Sequence, residues 1–286
     1  MFPLDPSILP IAFIGGGQMA CALLGGLVRA GWPLKNIVVV EPHPPQQAVL
    51  REQLGVRVLA RADASLQQAS IVVWALKPDM VQAAANATVG FLADPLHLSI
   101  AAGVSLPDLV RCFGSSRVVR AMPNTPALVG AGVTGMLPAA GVSEADKALA
   151  EGVLSVAGRV FSVRSDEEMD AVTAISGSGP GYVFQFLESF QAAAEALGFD
   201  TAEAKQLVLD ILAGSVLLAQ SEDTEYAALR KRVTSKNGTT EAALNVLAER
   251  GFDAALHDAV CAAQQRALAM SLDISRNFLH QCNPAG

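Results

Sequence analysis

Over the first 163 residues, short runs of aliphatic and β-branched residues alternate with longer stretches whose apolar positions recur at helical spacing. The runs Ile11–Ile14, Ile37–Val40, Arg57–Leu59, Ile71–Ala75, His97–Ala101, Arg117–Ala121 and Arg159–Val163 predict strands. Between them Gln46–Leu54, Asp79–Phe91, Leu106–Phe113 and Glu144–Val156 predict helices. Strands alternating with helices imply crossover units and a mainly parallel, doubly wound sheet. Val38-Val39-Val40 and Ile71-Val72-Val73 show no polar alternation, as expected of strands covered on both faces.

After Asp166 the strand pattern stops. Asp170–Ile175, Pro180–Leu197, Thr201–Ala219, Glu241–Glu249 and Phe252–Ser271 all predict helices rich in Ala and Leu. Leu207–Ala219 is apolar almost all the way round, interrupted only by Asp210, Gly214 and Ser215. A helix without a polar face is normally buried in a larger assembly, so this half is expected to be an all-helical domain that dimerises. The boundary near Val163–Ser165 is too short for a flexible linker, which divides the chain into residues 1–163 and 164–286.

The length of 286 residues suffices for one large or two medium domains with a real core. Apolar residues make up 51% and charged residues 16%, a low charge that again implies hidden surface. The net charge of −7 argues against nucleic-acid or anionic-membrane partners. Cys21, Cys112, Cys261 and Cys282 show no metal-binding spacing and read as thiols in a reducing compartment. The first three are expected to be buried on helices and the last to lie in the tail. The four histidines are isolated, so no metal site is expected. No basic segment precedes an apolar core at the N-terminus, and the apolar stretch Ile11–Val28 carries five glycines and Gln18. The reading is a cytoplasmic chain with no membrane partner.

Those glycines carry the most specific signal. Ile11–Ala20 reads strand, tight turn, helix, with G-x-G-x-x-A spacing at Gly15, Gly17 and Ala20. Gly15 permits the turn, Gly17 lets a pyrophosphate approach the backbone, and Ala20 lets helix and strand pack closely. The open N–H groups of the helix start then face the phosphates. The competing reading is a glycine-rich turn before a buried helix. Glu41 stands at the end of the second strand, where the adenosine ribose is read, and its carboxylate favours NADH; alternatively it is a solvated loop acid. Arg51 or Lys35 could instead swing in. Ala75-Leu76-Lys77-Pro78 ends the fourth strand, at the sheet edge where such folds bind ligands. Pro123 and Pro126 bracket an Asn124-Thr125 pair that could support a nicotinamide ring, or merely connect two elements.

Two turns in the helical half also need a reason. In Ser176–Tyr182, Ser178 is a natural N-cap and Pro180 fits a first helical turn, but three glycines suggest close ligand approach. In Thr234–Thr240, hydroxyls and open N–H groups before a helix form a cradle for a carboxylate or phosphate. Glu241 in the first turn weakens that cradle.

IGGGQMA, ALKP at 75–78, SIAAG at 99–103, RAMPNTP at 120–126, DAVTAISGSGPGYVF at 170–184 and VTSKNGTT at 233–240 together resemble pyrroline-5-carboxylate reductase, in order and spacing over essentially the whole chain. The resemblance implies an α/β, Rossmann-like doubly wound parallel sheet in residues 1–163 and an all-helical dimerisation domain in residues 164–286. It implies a homodimer, or a larger homo-oligomer built from dimers, that reduces 1-pyrroline-5-carboxylate to L-proline with NADPH or NADH, the last step of proline biosynthesis. Carried over residue by residue, Ser235, Gly238, Thr239 and Thr240 would hold the substrate carboxylate and Thr173 the ring nitrogen; alternatively the Thr173 hydroxyl simply bonds the preceding helical turn. Gly15, Gly17, Gln18 and Met19 would line the pyrophosphate turn, with Lys77, Pro78 and Asn124 on the nicotinamide side. Lys236-Asn237 departs from the family's usual Pro-Gly or Lys-Gly, and because the family often prefers NADPH, Glu41 leaves the choice between the two cofactors open. The chain shows no catalytic acid–base pair, and reduction of a protonated imine hardly needs one. A β-hydroxyacid dehydrogenase shares this plan but resembles a glycine turn followed by a catalytic Lys, where this chain has Tyr182-Val183-Phe184. A non-catalytic dinucleotide-binding regulator would leave the 234–240 turn idle.

Overall fold

A computed structural model describes residues 9–282. Eight strands form one sheet: β1 (Ile11–Ile14), β2 (Ile37–Val40), β3 (Arg57–Leu59), β4 (Ile71–Trp74), β5 (Leu96–Ser99), β6 (Val118–Met122), β7 (Gly132–Pro138) and β8 (Gly158–Ser162). Their order is β3-β2-β1-β4-β5-β6-β7-β8. All neighbours are parallel except β6 and β7. The chain reverses direction across the sheet between β1 and β4, the switch point at which such sheets open a ligand crevice. Ile14 is level with Val40 on one side and Trp74 on the other, so three strand ends meet there.

The helices of this half are α1 (Gln18–Arg29), α2 (Pro44–Leu54), α3 (Val81–Thr88), α4 (Leu106–Phe113) and α5 (Glu144–Ser155). Leu23, Leu24 and Leu27 of α1 are fully buried with Phe13 and Val73 of the sheet. The expected strand ends shift by one or two residues at β4, β5, β6 and β8. The segment 79–91 is not one helix. Pro78–Met80 and Val89–Phe91 are 3₁₀ turns flanking α3, consistent with proline at the start and Gly90, a poor helix former, at the end. Strand β7 was not expected at all. Its sequence GVTGMLP carries two glycines and a proline, which weaken any strand signal. Pairing on both sides supplies what propensity lacks, and Gly132 opposite Gly158 permits an approach that a Cβ on Gly158, 2.0 Å from the Gly132 oxygen, would forbid.

Trp74, His97 and Phe113 stack in the core, with Trp74 and Phe113 ring centroids 4.4 Å apart. The Trp74 indole N–H donates to His97 Nδ1 at 3.1 Å. Burial pushes His97 down to about 4, so the ring is the neutral acceptor near pH 7.

The second half holds α6 (Asp166–Val172), α7 (Gly179–Ala196), α8 (Thr201–Ser221), α9 (Tyr226–Arg232), α10 (Thr239–Glu249) and α11 (Phe252–Cys282). Two compact units emerge: described residues up to Ser178 together with those from Ala263 on, and residues 179–262. In the first, the sheet's core takes in Phe278 from the last turns of α11. In the second, α7 packs on α8, and Asp200 caps α8 by accepting from the Ala202 and Glu203 N–H groups, both at 2.9 Å. Only Ala194, Ala204 and Val208 are buried there, while Phe184, Leu197 and Leu217 are 64%, 83% and 65% exposed. Helices this apolar and this exposed require a partner surface.

Two expectations are corrected here. Ser176–Tyr182 is not a turn between helices, because Thr173–Gly177 forms a π-helical turn that joins α6 directly to α7. Ser178 is therefore helical rather than an N-cap, and its hydroxyl donates back to the Thr173 carbonyl at 3.4 Å. Cys21, Cys112 and Cys261 are half-buried rather than buried: the first two pack against the core from partly exposed positions, and Cys261 lies beside His257 on α11.

Candidate functional site

At the end of β1, Gly15 turns the chain with φ +93°, and a Cβ there would meet the Ala75 oxygen at 2.5 Å. Its N–H bonds the Val40 oxygen at 2.8 Å, which ties the turn to β2. Gly17 is the opposite case: a Cβ would meet nothing within 4 Å. It precedes α1, whose first turn has no side-chain cap and no acid. Open backbone at an uncapped helix start is the arrangement that receives a pyrophosphate.

A cleft of about 770 Å³ lies over these strand ends, walled by Gly15, Gly17, Glu41, Ala75 and Lys77 among others. Five of the residues singled out in the sequence are thus brought together. Gln18 and Met19 begin α1 and Pro78 begins a 3₁₀ turn, but none of the three is on the wall. Arg61, Asp63, Met80 and Phe91 do line it and were missed. The rule that ligands gather at strand carboxyl ends, applied to β3 as well as β1 and β4, would have found Arg61 and Asp63. The cleft's size and its open helix terminus fit a dinucleotide.

Glu41 is neither a solvated loop acid nor a freely turning one. It is 9% exposed. Its Oε2 accepts the Gly16 N–H and its Oε1 the His43 N–H, both at 2.8 Å. The Gln47 amide donates to its backbone oxygen at 2.8 Å. The carboxylate therefore fastens the glycine turn to the end of β2 while remaining on the cleft wall. Arg51 does not swing in, because its guanidinium is held by the Val58 carbonyl at 3.1 Å and Gln47 Oε1 at 3.2 Å. Burial is the main reason that the Cys21 thiol behind the turn is pushed above the ordinary thiol range.

Asn124 has a structural task that its sequence context does not show. It is 8% exposed, absent from the cleft wall, and its side chain is engaged at both ends. Nδ2 donates to the Ser176 carbonyl at 3.1 Å, and Oδ1 accepts the Val133 N–H at 2.9 Å. That pairing uses one of its two amide N–H groups and one of its oxygen lone pairs to clamp the π-helical turn to β7. Ser176 reinforces the clamp by donating its hydroxyl to the Val133 carbonyl at 3.2 Å. Below the turn, fully buried Arg120 of β6 pairs with Asp166 and with Asp170, the latter at 3.1 Å. Ser271 of α11 also donates to Asp170, at 3.1 Å. The π-helical turn is thus fixed to the sheet on two sides. Such turns recur at functional sites, and this one begins at Thr173, whose hydroxyl donates to the Met169 carbonyl at 2.9 Å. Its oxygen lone pairs remain available to accept.

The residue 234–240 turn forms a separate feature of the second unit. Asn237 sits in the left-handed region with φ 59°, which Asn tolerates better than most residues. The Gly238 N–H closes the turn on the Ser235 oxygen at 3.0 Å, and a Cβ on Gly238 would strike Ser235 Oγ at 2.3 Å. Glu241 accepts the Asn237 N–H at 2.6 Å, so it braces the turn. No hydrogen bond occupies the hydroxyls of Ser235, Thr239 or Thr240 among the described residues. α10 starts at Thr239 with no side-chain cap. Three free hydroxyls at an uncapped helix start can receive a carboxylate.

The sheet order and cleft define a dinucleotide-binding oxidoreductase of the α/β class. Residues 10–103 match the model described as NADP oxidoreductase, coenzyme F420-dependent, and residues 166–270 match that described as pyrroline-5-carboxylate reductase dimerisation. A pyrroline-5-carboxylate reductase of Pseudomonas aeruginosa is 38% identical over 263 residues, covering 91% of this chain and 96% of that protein. The structure of a Coxiella burnetii pyrroline-5-carboxylate reductase superposes with TM-score 0.85 at 33% identity, over 92% of this chain and 99% of that one. A Plasmodium falciparum pyrroline carboxylate reductase with NADP bound gives 0.83 at 29% identity, over 92% and 98%. The chain belongs to the pyrroline-5-carboxylate reductase family, and its helical part is the dimerisation domain of a homo-oligomer.

Proposed function

We propose that the chain reduces 1-pyrroline-5-carboxylate to L-proline with a reduced nicotinamide dinucleotide, working in the cytoplasm as a dimer or an assembly of dimers. Residues 1–163 grip the cofactor and residues 164–286 supply the substrate contacts. What carries the reading is that one chain holds both an open, uncapped glycine turn for a pyrophosphate and an uncapped turn whose three hydroxyls have no hydrogen bond among the described residues, for a carboxylate. The cofactor, when bound, supplies the hydride.

The protein's own residues then have binding and orienting work. Gly15, Gly17 and the α1 terminus, with Gln18 and Met19 in its first turn, receive the pyrophosphate. Ala75, Lys77 and Pro78 border the cofactor beyond it, and Asn124 serves by positioning the π-helical turn. Ser235, Thr239, Thr240 and the Gly238 backbone hold the substrate carboxylate. Thr173, whose proton is already committed to Met169, accepts a hydrogen bond from the protonated ring nitrogen and so orients the imine. Loss of reduced-nicotinamide absorbance on adding pyrroline-5-carboxylate tests the activity; cofactor binding without turnover would refute it. Thr173→Val should lower kcat about ten- to a hundredfold, the range for a hydrogen bond to a charged group, with Thr173→Ser retaining most of the rate. Unchanged turnover in the valine variant removes Thr173 from the mechanism.

A further inference from the structure

We propose that Glu41 makes this enzyme selective for NADH over NADPH, by fixing a carboxylate where the extra 2′-phosphate of NADPH has to sit. The proposal rests on the cleft being the dinucleotide site and adds the choice between its two occupants.

Position is the first argument. Glu41 directly follows Val40, whose carbonyl holds the Gly15 N–H, so it stands beside the glycine turn at the end of β2. In sheets of this order that position meets the adenosine ribose. Immobility is the second. Backbone N–H groups of Gly16 and His43 each take one carboxylate oxygen, so the side chain cannot rotate away from an incoming phosphate without releasing the turn that binds the pyrophosphate. The remaining lone pairs on the two oxygens suit the donor hydroxyls of an unphosphorylated ribose.

The surrounding charges are the third argument. Glu41 makes no ion pair among the described residues, and Arg51, the nearest cation on α2, is held by Val58 and Gln47. At this end of the cleft Asp63 adds a second carboxylate against one guanidinium, that of Arg61. Arg61 is exposed and has no hydrogen bond or ion pair among the described residues, so on the cleft wall it is the guanidinium that could reverse the preference by gripping a 2′-phosphate.

Binding of NADH and NADPH, titrated separately through the cofactor's own fluorescence, tests the proposal without turnover; kcat/KM for each provides the second readout. The wild-type protein should bind NADH at least tenfold more tightly. Glu41→Gln keeps the size and one acceptor but removes the charge. It should shrink the ratio of NADPH to NADH dissociation constants at least fivefold, and any general loosening of the Gly16 turn cancels in that ratio. Arg61→Ala should leave the ratio within about twofold. Tighter wild-type binding of NADPH, or a selective loss of NADPH in Arg61→Ala, overturns the proposal, and the wild-type ratio decides even if Glu41→Gln folds poorly. A folded wild-type protein that binds neither cofactor refutes the dinucleotide reading itself.

Discussion

Asn124→Asp isolates the clamp between β7 and the π-helical turn by changing a single atom. One carboxylate oxygen can still accept the Val133 N–H, as Oδ1 does at 2.9 Å. The other replaces Nδ2, which donates to the Ser176 carbonyl at 3.1 Å, and so places two acceptors face to face. The variant leaves a part-buried carbonyl without its donor, at about 1–3 kcal/mol, so the deficit should be about 1–3 kcal/mol at pH 8. Once protonated, the introduced carboxyl can donate to Ser176 again. Its folded-state pKa should therefore lie above its unfolded value of about 3.9. Its contribution to stability is fully present below the unfolded pKa and is lost as pH rises through the folded one, so the deficit at pH 4 should be smaller than at pH 8. Urea unfolding of both proteins at the two pH values measures this, and differences common to both cancel. Equal stability at pH 8, or a deficit that does not change with pH, would show that the clamp does not hold the turn.

Other expectations follow from the same geometry. Gly17→Ala adds a Cβ into open space, so melting should move by no more than about 0.5 kcal/mol while affinity for both dinucleotides falls at least tenfold. Gly15→Ala, with φ +93° and the Ala75 oxygen at 2.5 Å, should destabilise the fold by about 2–4 kcal/mol. Thermal melts with and without cofactor distinguish the two, and equal melting losses would contradict the argument. His97 is depressed from 6.5 to about 4 by burial, so the unfolded chain binds the proton first as pH falls. Its contribution is present above pH 6.5 and lost between 6.5 and about 4, roughly 3 kcal/mol in all. His97→Gln should flatten that part of the stability–pH curve; an unaltered slope would mean that the ring is not held neutral.

Sequence pattern exposed some of this machinery and concealed the rest for identifiable reasons. Gly15, Gly17 and Glu41 were legible because strand, turn and strand end are set by neighbours in the chain, and the cleft contains all three. Arg61 and Asp63 were hidden because no glycine turn or other motif follows β3, so the segment after it looked like generic loop. The clamping task of Asn124 was hidden, since the partners that engage its amide, Val133 and Ser176, lie 9 and 52 residues away. The run Ser176-Gly177-Ser178-Gly179 read as a turn because glycine and serine disfavour helix, yet the clamp to β7 holds it helical.

Local chemistry alone therefore determined the alternation of strands and helices, the glycine turn with its open helix start, and the surplus of apolar helix surface that calls for a second copy. These depend on side-chain periodicity and on steric limits at single residues, which do not change with context. Tertiary structure decided the strand status of β7, the π-helical continuity from α6 to α7, the burial of Arg120 between two aspartates, and the two hydrogen bonds that immobilise Glu41. Each of these depends on partners distant in the chain, because a hydrogen bond or a buried charge takes its energy from whatever group the fold brings within about 3 Å.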